Sequence, residues 1–262
     1  MRVHLLQLDL AWEDPEANLR NIAAACDDAS LLPGDLVVLP ELCTTGFSLP
    51  GAARLAEPVD GPSVRFLRSL AARHGCRFIA GLPLRDDTGR ARNAALLLDA
   101  SGPLARYDKT HPFSPPREGD HLPAGDRIVV PSLDGLKLSL FVCYDLRFPE
   151  IFRSAAAAGA ECLVVLASWP ETRAEHWRLL LRARAVENQA IVVGVNRVGS
   201  DPFFRYPGRS AVIGPHGDAW VELGDRPGWG RAELDDAEVR SWRERFPALR
   251  DRRTEAPRLE GG

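Results

Sequence analysis

The sequence predicts an α/β protein in which two sheets face each other and helices cover their outer sides. Two observations carry this. Strand-like runs alternate with amphipathic helical stretches in parts of the chain, yet elsewhere strand follows strand through a short turn, an order that a simple doubly wound sheet does not produce. The chain also has 262 residues, 45% of them hydrophobic and 26% charged, ordinary for a globular protein and long enough for one domain spanning 1–262 or for two small ones, of which the single domain is the expectation. No short internal repeat interrupts it.

The elements follow in order. "VHLLQLDL" (3–10) predicts a first strand. A helix over 15–29 opens on Pro15, which suits a first turn, and sets Leu19, Ile22 and Cys26 on one face. "DLVVLPE" (35–41) is a buried strand stopped by Pro40. A helix over 61–75 turns Val64, Phe66, Leu67 and Leu70 inward and ends at Gly75. Residues 76–84 and 91–100 form consecutive strands across "RDDTGR", and 103–109 continues the meander. The proline- and glycine-rich stretch 110–126 is an irregular loop, the kind that tends to be functional inside a compact domain. "DRIVV" (126–130) and "LKLSLFVC" (136–143) are strands, the second alternating with a period of two. A helix over 148–158, a strand over 161–169 and the long helix over 172–189 come next. Thr172 and Glu175 are spaced as a capping box, and Ala174, Trp177, Leu181 and Ala185 make the buried stripe. A strand over 190–196, a closing pair in "RSAVIGP" and "AWVEL", and an amphipathic helix over 235–246 complete the pattern. The charged tail from about 248 is expected to be extended and to pack on a partner subunit.

Composition excludes several function classes. A net charge of −3 offers no basic stripe to a nucleic-acid backbone. The apolar runs are strand-sized, far below the roughly 20 residues of a membrane helix. The N-terminus reaches acidic residues too early for a signal peptide, so a cytoplasmic protein with no membrane or nucleic-acid partner is expected. The cysteines, Cys26, Cys43, Cys76, Cys143 and Cys162, are odd in number and contain no CxxC pair, which argues against a disulfide framework or a structural zinc site.

Three reactive side chains share one context, the end of a strand: Glu41 in "VVLPELCTTGF", Lys109 in "RYDKTHPF" and Cys143 in "FVCYDLRFPE". Strand ends and the loops after them are where α/β architectures place their chemistry. A thiol with an ordinary pKa near 8.5 needs a base or a positive neighbour to react at neutral pH. A carboxylate in a dry site can take its proton, and a lysine can stabilise the oxyanion formed when the thiol attacks a carbonyl. A Cys–His dyad fails, because no histidine sits at a comparable strand end, and His111 and His121 lack a metal-ligand set.

These three motifs, in this order, resemble the nitrilase (carbon–nitrogen hydrolase) superfamily over nearly the whole chain. "CYDLRFPE" and "SWPETRAEHWRLLLRARAVENQ" look most like its bacterial ω-amidase branch. The resemblance implies a four-layer α-β-β-α sandwich, a Glu–Lys–Cys triad at Glu41, Lys109 and Cys143, and a second glutamate in the loop after the lysine. Glu118 is the candidate for the latter, with Asp120 as the fallback. It implies hydrolysis of a small ω-amide, such as α-ketoglutaramate, through a cysteine thioester, with the backbone N–H of Tyr144 helping to hold the oxyanion. No metal or organic cofactor is needed for that chemistry. A homodimer or higher homo-oligomer is implied as well. Alternatives are another activity of the superfamily (aliphatic amidase, N-carbamoyl amino acid hydrolase or nitrilase) or a non-catalytic thiol sensor on the same fold.

Around the triad, Trp169 is a candidate pocket wall. Arg173 or Arg197 is a candidate for holding a substrate carboxylate through the two-pronged guanidinium. Asp145, Arg147 and Glu150 read as an ion-paired scaffold of the bend after Cys143. Cys26, Cys76 and Cys162 read as core filler, and Cys43 receives no role.

Overall fold

A computed structural model describes residues 1–253 of the chain. Strand β1 (Arg2–Gln7) leads into α1 (Pro15–Asp28), whose N-terminus is capped by the Asp14 carboxylate accepting from the Ala17 N–H. Strand β2 (Leu36–Val38) follows, then two helices, α2 (Leu49–Leu55) and α3 (Pro62–His74). Gly75 ends α3 at φ +64°, a left-handed conformation that glycine adopts without steric cost. Strands β3 (Arg77–Arg85), β4 (Ala91–Asp99) and β5 (Gly102–Asp108) form the meander.

The second half holds β6 (Ser132–Leu133), β7 (Leu136–Val142), α4 (Pro149–Ala157), β8 (Cys162–Ala167), α5 (Ala174–Asn188) and β9 (Ile191–Asn196). A small hairpin of β10 (Val198–Ser200) and β11 (Arg205–Pro207) interrupts before β12 (Ala211–Ile213), β13 (Ala219–Glu222), β14 (Gly228–Glu233) and α6 (Asp236–Arg245).

The strands sort into two six-stranded sheets, β14-β1-β2-β3-β4-β5 and β13-β12-β9-β8-β7-β6. One core cluster joins Val3, Leu5, Val38 and Ile79 of the first sheet to Leu140, Val164 and Val193 of the second. A separate cluster joins Leu6, Val37, Phe78 and Leu96 to Leu19, Ile22, Val64 and Leu67, so α1 and α3 cover the outer face of the first sheet. Helices α4 and α5 cover the second. Trp177 and Leu181 of α5 press so closely on β9 that a Cβ at Gly194 would fall 2.7 Å from Leu181 Cδ1. Each fully buried side chain of this kind stabilises the fold by roughly 1.5–3 kcal/mol. The result is the expected four-layer α-β-β-α sandwich. Among the described residues, no helix is long and apolar enough to cross a membrane.

Several expectations need correction. The apolar stretch 126–130 forms no strand. Its Ile128, Val129 and Val130 pack against the core, but its backbone is met only singly, by Ser139 Oγ donating to the Val129 carbonyl. The ladder place beside β7 belongs to β6. The capping box at Thr172 and Glu175 does not form: residues 171–173 make a 3-10 turn, Arg173 is the N-cap of α5, and no side chain caps it. Helix α2 and strand β14 carried no clear signal, because "LPGAARL" and "GWGRAE" contain the residues that normally interrupt such elements. Residues 248–251 form turns rather than extended chain, with Arg250 N–H donating to Pro247 O (2.8 Å). The rest of the expected tail, 254–262, lies outside the described residues.

In each sheet the central strands run parallel, and β5 runs in the same direction as β2 after two reversals. The C-terminal ends of β2, β5, β7 and β8 therefore meet at one end of the sandwich, where the chemistry-bearing residues lie.

Candidate active site

Glu41 sits in the turn after β2. Strand β3 passes so near that a Cβ at Gly81 would lie 2.5 Å from Glu41 Cα and from the Pro40 carbonyl oxygen, so only glycine fits at 81. The Glu41 carboxylate is fully buried. Its Oε1 accepts from Asn93 Nδ2 (2.8 Å) and Lys109 Nζ (2.9 Å), and its Oε2 from the Ser168 N–H (2.8 Å).

Lys109 is the residue immediately after β5. The Asn93 carbonyl accepts from its N–H (2.9 Å), and its own carbonyl accepts from Gly125 N–H (2.8 Å). Its buried Nζ reaches Glu118 as well as Glu41, at 2.8 Å to Oε2 and 3.1 Å to Oε1. Glu118 opens a 3-10 turn in the irregular loop and also accepts from Asn93 Nδ2 (2.8 Å) and the Phe113 N–H (2.6 Å). Burial alone lowers the pKa of the Lys109 ammonium, but the charges of Glu118 and Glu41 more than reverse this and hold it above the ordinary lysine value. Burial, joined by the charge of Glu41, raises the pKa of the Glu118 carboxyl against the opposing pull of Lys109.

Cys143 ends β7 in a sharp bend. It has φ +47°, a region that costs a non-glycine residue roughly 1–3 kcal/mol and that persists only where surroundings over-determine it. Asp145 supplies that constraint. Its fully buried carboxylate accepts from the Val142 N–H (2.9 Å), Tyr107 OH (2.8 Å) and His111 N–H (3.0 Å), and it meets His111 Nδ1 at 2.9 Å. The His111 ring stacks on Phe148 at 3.8 Å between centroids. The bend is thus held by one carboxylate tied to two sheets.

Burial, with the charge of Glu41, pushes the Cys143 thiol well above the ordinary cysteine pKa, against the opposing influence of Lys109 and the Ser168 N–H. The environment therefore favours the thiol over the thiolate before substrate binds.

A pocket opens above the sulfur. Cys143, Tyr144, Arg147, Ser168, Trp169 and Arg173 line it, closed off by Phe47, Phe113, Pro170 and Phe204. Its space, counting the open mouth, is about 360 Å³. The Arg147 guanidinium lies 4.7 Å from the Trp169 ring centroid, and that of Arg173 lies 5.4 Å from Phe113. Burial and the charge of Arg173 lower the Arg147 pKa. Among the described residues, neither arginine forms an ion pair with a carboxylate, whereas Lys109 touches two.

Comparison with known proteins fits this geometry. Residues 2–244 match the family model described as carbon-nitrogen hydrolase. The chain belongs to that family. This hydrolase is 36% identical over 251 residues to a 2-oxoglutaramate amidase of Bacillus subtilis, covering 95% of this chain and 96% of the relative. Among solved structures, XC1258 from Xanthomonas campestris, a CN-hydrolase superfamily protein with an arsenic adduct in the active site, superposes with a TM-score of 0.90. It is 35% identical and covers 98% of each chain. A glutamate-to-glutamine mutant of the amidase from Nesterenkonia sp. AN1, showing covalent addition of the acetamide moiety of fluoroacetamide at the active site cysteine, is 32% identical. Its TM-score is 0.82, over 97% of this chain and 94% of that one.

The structure of the hydrolase brings together Glu41, Lys109, Cys143 and Glu118, with Tyr144, Trp169 and Arg173 around the pocket. Asp120, the fallback for Glu118, is exposed and pairs with Arg117 instead. Arg197 is not at the pocket: it is buried over the Tyr206 ring (4.4 Å) and braces the β10–β11 hairpin against Asp9 and Leu10. The ion-paired scaffold is corrected as well. Of the three, only Asp145 fixes the bend, with Arg184 of α5 donating to the Leu146 carbonyl (2.8 Å), while Glu150 is exposed and Arg147 turns into the pocket. Cys43 is fully buried, and burial pushes its thiol up to about 12. Cys26 and Cys162 are likewise raised by burial to about 12, and Cys76 to about 11, which leaves all four inert at neutral pH.

Sequence reasoning missed Asn93, Arg147 and the phenylalanine walls. Asn93 had a signal, an amide inside the otherwise apolar run "NAALLL". Arg147 had none that separates it from a surface ion pair.

Proposed function

We propose that this hydrolase cleaves the terminal amide of a small carboxylic acid, α-ketoglutaramate or a close ω-amide, to the dicarboxylate and ammonia through a thioester on Cys143. The observation that carries the substrate class is the pair of guanidiniums, Arg147 and Arg173, lining the same pocket as the thiol and, among the described residues, ion-paired to no carboxylate, Arg147 meeting only the His176 ring at 3.4 Å. Two like charges with no carboxylate between them favour an anion, and the guanidinium fork suits a carboxylate. A substrate with a carboxylate at one end and an amide at the other then spans from the arginines to the sulfur.

The chemistry follows from the contacts. Glu41 takes the thiol proton as Cys143 attacks the amide carbon. Lys109 and the Tyr144 N–H hold the oxyanion, the bend at Cys143 presenting that N–H beside the sulfur. The tetrahedral adduct collapses, the proton returns from Glu41 to the nitrogen, and ammonia leaves. Water attacks the thioester with Glu41 again as base, the acid departs, and the sulfur recovers its proton. Glu118 holds Lys109 in place. The covalent adduct at the active site cysteine of the related amidase supports a nucleophilic role for Cys143.

We further propose that two copies of the chain pair, as the family resemblance implies, with size-exclusion chromatography and light scattering as the test.

The test is ammonia release from α-ketoglutaramate, succinamate and neutral aliphatic amides, combined with mass analysis of Glu41→Gln for acyl groups on Cys143. Turnover of the carboxylate-bearing amides and an acyl adduct on Cys143 are expected. Turnover of only nitriles or N-carbamoyl amino acids refutes the substrate class and keeps the family reaction. Full amide turnover by Cys143→Ala refutes the thioester.

A further inference from the structure

Asn93 of β4 is 2% exposed and faces both carboxylates of the buried cluster. Its Nδ2 carries two hydrogens, and both are used: one to Glu41 Oε1 and one to Glu118 Oε1, each at 2.8 Å. Among the described residues, its buried Oδ1 meets no donor. An amide turned the other way would set its oxygen against two carboxylate oxygens, so this orientation is the only favourable one. A buried acceptor without a donor costs about 1–3 kcal/mol, and such a group in a native protein calls for a reason.

The two oxygens of Glu41 are unequal. A carboxylate oxygen accepts along two lone-pair directions. Oε1 fills both, with Asn93 and Lys109, while Oε2 holds only the Ser168 N–H. Ser168 lines the pocket beside Cys143. Oε2 therefore keeps one open direction among the described residues, and Oε1 is anchored.

From this we propose that Asn93 is a positioning residue of the reaction. It clamps Oε1 of Glu41 to Glu118, so that Oε2 alone faces the thiol and water as the working oxygen. This rests on Glu41 being the base, as proposed above.

The residue type fits the task. With both carboxylates ionised, the cluster carries one negative charge in excess of the Lys109 ammonium, and under the reading above Glu41 is where that charge accepts the thiol proton. A second lysine or an arginine at 93 would supply the same donors but neutralise the excess. Asparagine supplies two donors on one atom and no charge. Aspartate has the same shape with no donor, and it adds a third carboxylate.

The experiment compares wild type, Asn93→Ala and the nearly isosteric Asn93→Asp, with kcat counted per folded site by alkylation of Cys143. Asn93→Ala is expected to lower kcat about 10–100-fold, the scale of a misplaced catalytic group, with KM changed less than about 3-fold. The acidic limb of the pH–kcat/KM profile should move to higher pH, because a carboxylate that loses a donor holds its proton more firmly. Asn93→Asp should lose more and shift further in the same direction.

A kcat within about 3-fold of wild type, with an unmoved profile, in either folded variant overturns the proposal. So does a loss of activity explained wholly by fewer alkylatable sites. The failure of the underlying reading looks different: there Glu41→Gln itself retains turnover.

Discussion

The inner cluster and the pocket mouth hold similar charges in opposite conditions. Inside, Lys109 touches Glu41 and Glu118, and Asn93 bridges both carboxylates, so the charges are satisfied before any substrate arrives. At the mouth, Arg147 and Arg173 have aromatic rings for neighbours but no carboxylate. The first sheet supplies Asn93 on β4, and the ends of β2 and β5 bring Glu41 and Lys109. The second sheet supplies the thiol and, in the turns beyond β7 and β8, the arginines. The contrast separates two tasks. A satisfied cluster is preorganised for proton transfer and needs no rearrangement, whereas an unsatisfied pair leaves room for one specific anion.

The largest expected effect breaks the inner cluster. Lys109→Met leaves Glu41 and Glu118 buried without their cation. Removing one partner of a buried pair costs about 3–5 kcal/mol, measured by chemical denaturation. Loss of an electrostatic stabiliser of the oxyanion should lower kcat by about 10²–10³-fold in the same variant. A stable Lys109→Met protein with wild-type turnover would show that the cluster is scaffolding and not machinery.

The mouth should answer differently. Arg147→Met and Arg173→Met remove a charge that, among the described residues, no carboxylate offsets, so stability should change by less than about 0.5 kcal/mol or rise. For carboxylate-bearing amides kcat/KM should fall about 10–100-fold, the equivalent of roughly 1.5–3 kcal/mol for a hydrogen bond to a charged group. For neutral amides the loss should be small or absent. An equal loss for both substrate types would erase the distinction between mouth and cluster.

How far the sequence foretells this arrangement follows the same division. Glu41 and Cys143 are legible because each follows a run that predicts a strand, whereas Lys109 follows the mixed stretch "PLARYD", where a surface lysine is the ordinary reading, and only its place in "YDKTHPF" lifts it above that. Glu118 is not legible from pattern: it lies among prolines and glycines, and only the family resemblance singles it out. Asn93 carries only a weak signal, its amide at the head of the apolar run "NAALLL", because β4 is buried on both faces and no alternation marks its polar side chain as inward. Arg147 was assigned to a scaffold because charge spacing cannot say which way a side chain turns out of a bend. The error at 126–130 has a related cause. β-branched residues there predict burial correctly, but a ladder also needs a free strand edge, which is a property of the neighbours.

The mouth poses a smaller question, namely what holds Arg173. Sequence spacing offers a Thr172–Glu175 capping box, and the structure offers something else. Trp169 Nε1 donates to the Arg173 carbonyl (2.7 Å), tying the start of α5 to the end of β8, while Thr172 is exposed and caps nothing. Trp169→Phe keeps most of the ring but loses that donor. It should raise KM for a carboxylate-bearing amide several-fold, in line with about 0.5–1.5 kcal/mol for one hydrogen bond, and leave kcat nearly unchanged. Thr172→Ala should alter neither KM nor stability beyond about 0.5 kcal/mol, where a true N-cap would cost about 1 kcal/mol. Steady-state kinetics and denaturation of the two variants side by side decide which contact holds Arg173. A marked loss in Thr172→Ala alone would mean that the arginine is held by the helix cap, and that the mouth is positioned by α5 rather than by the strand end that also walls the thiol.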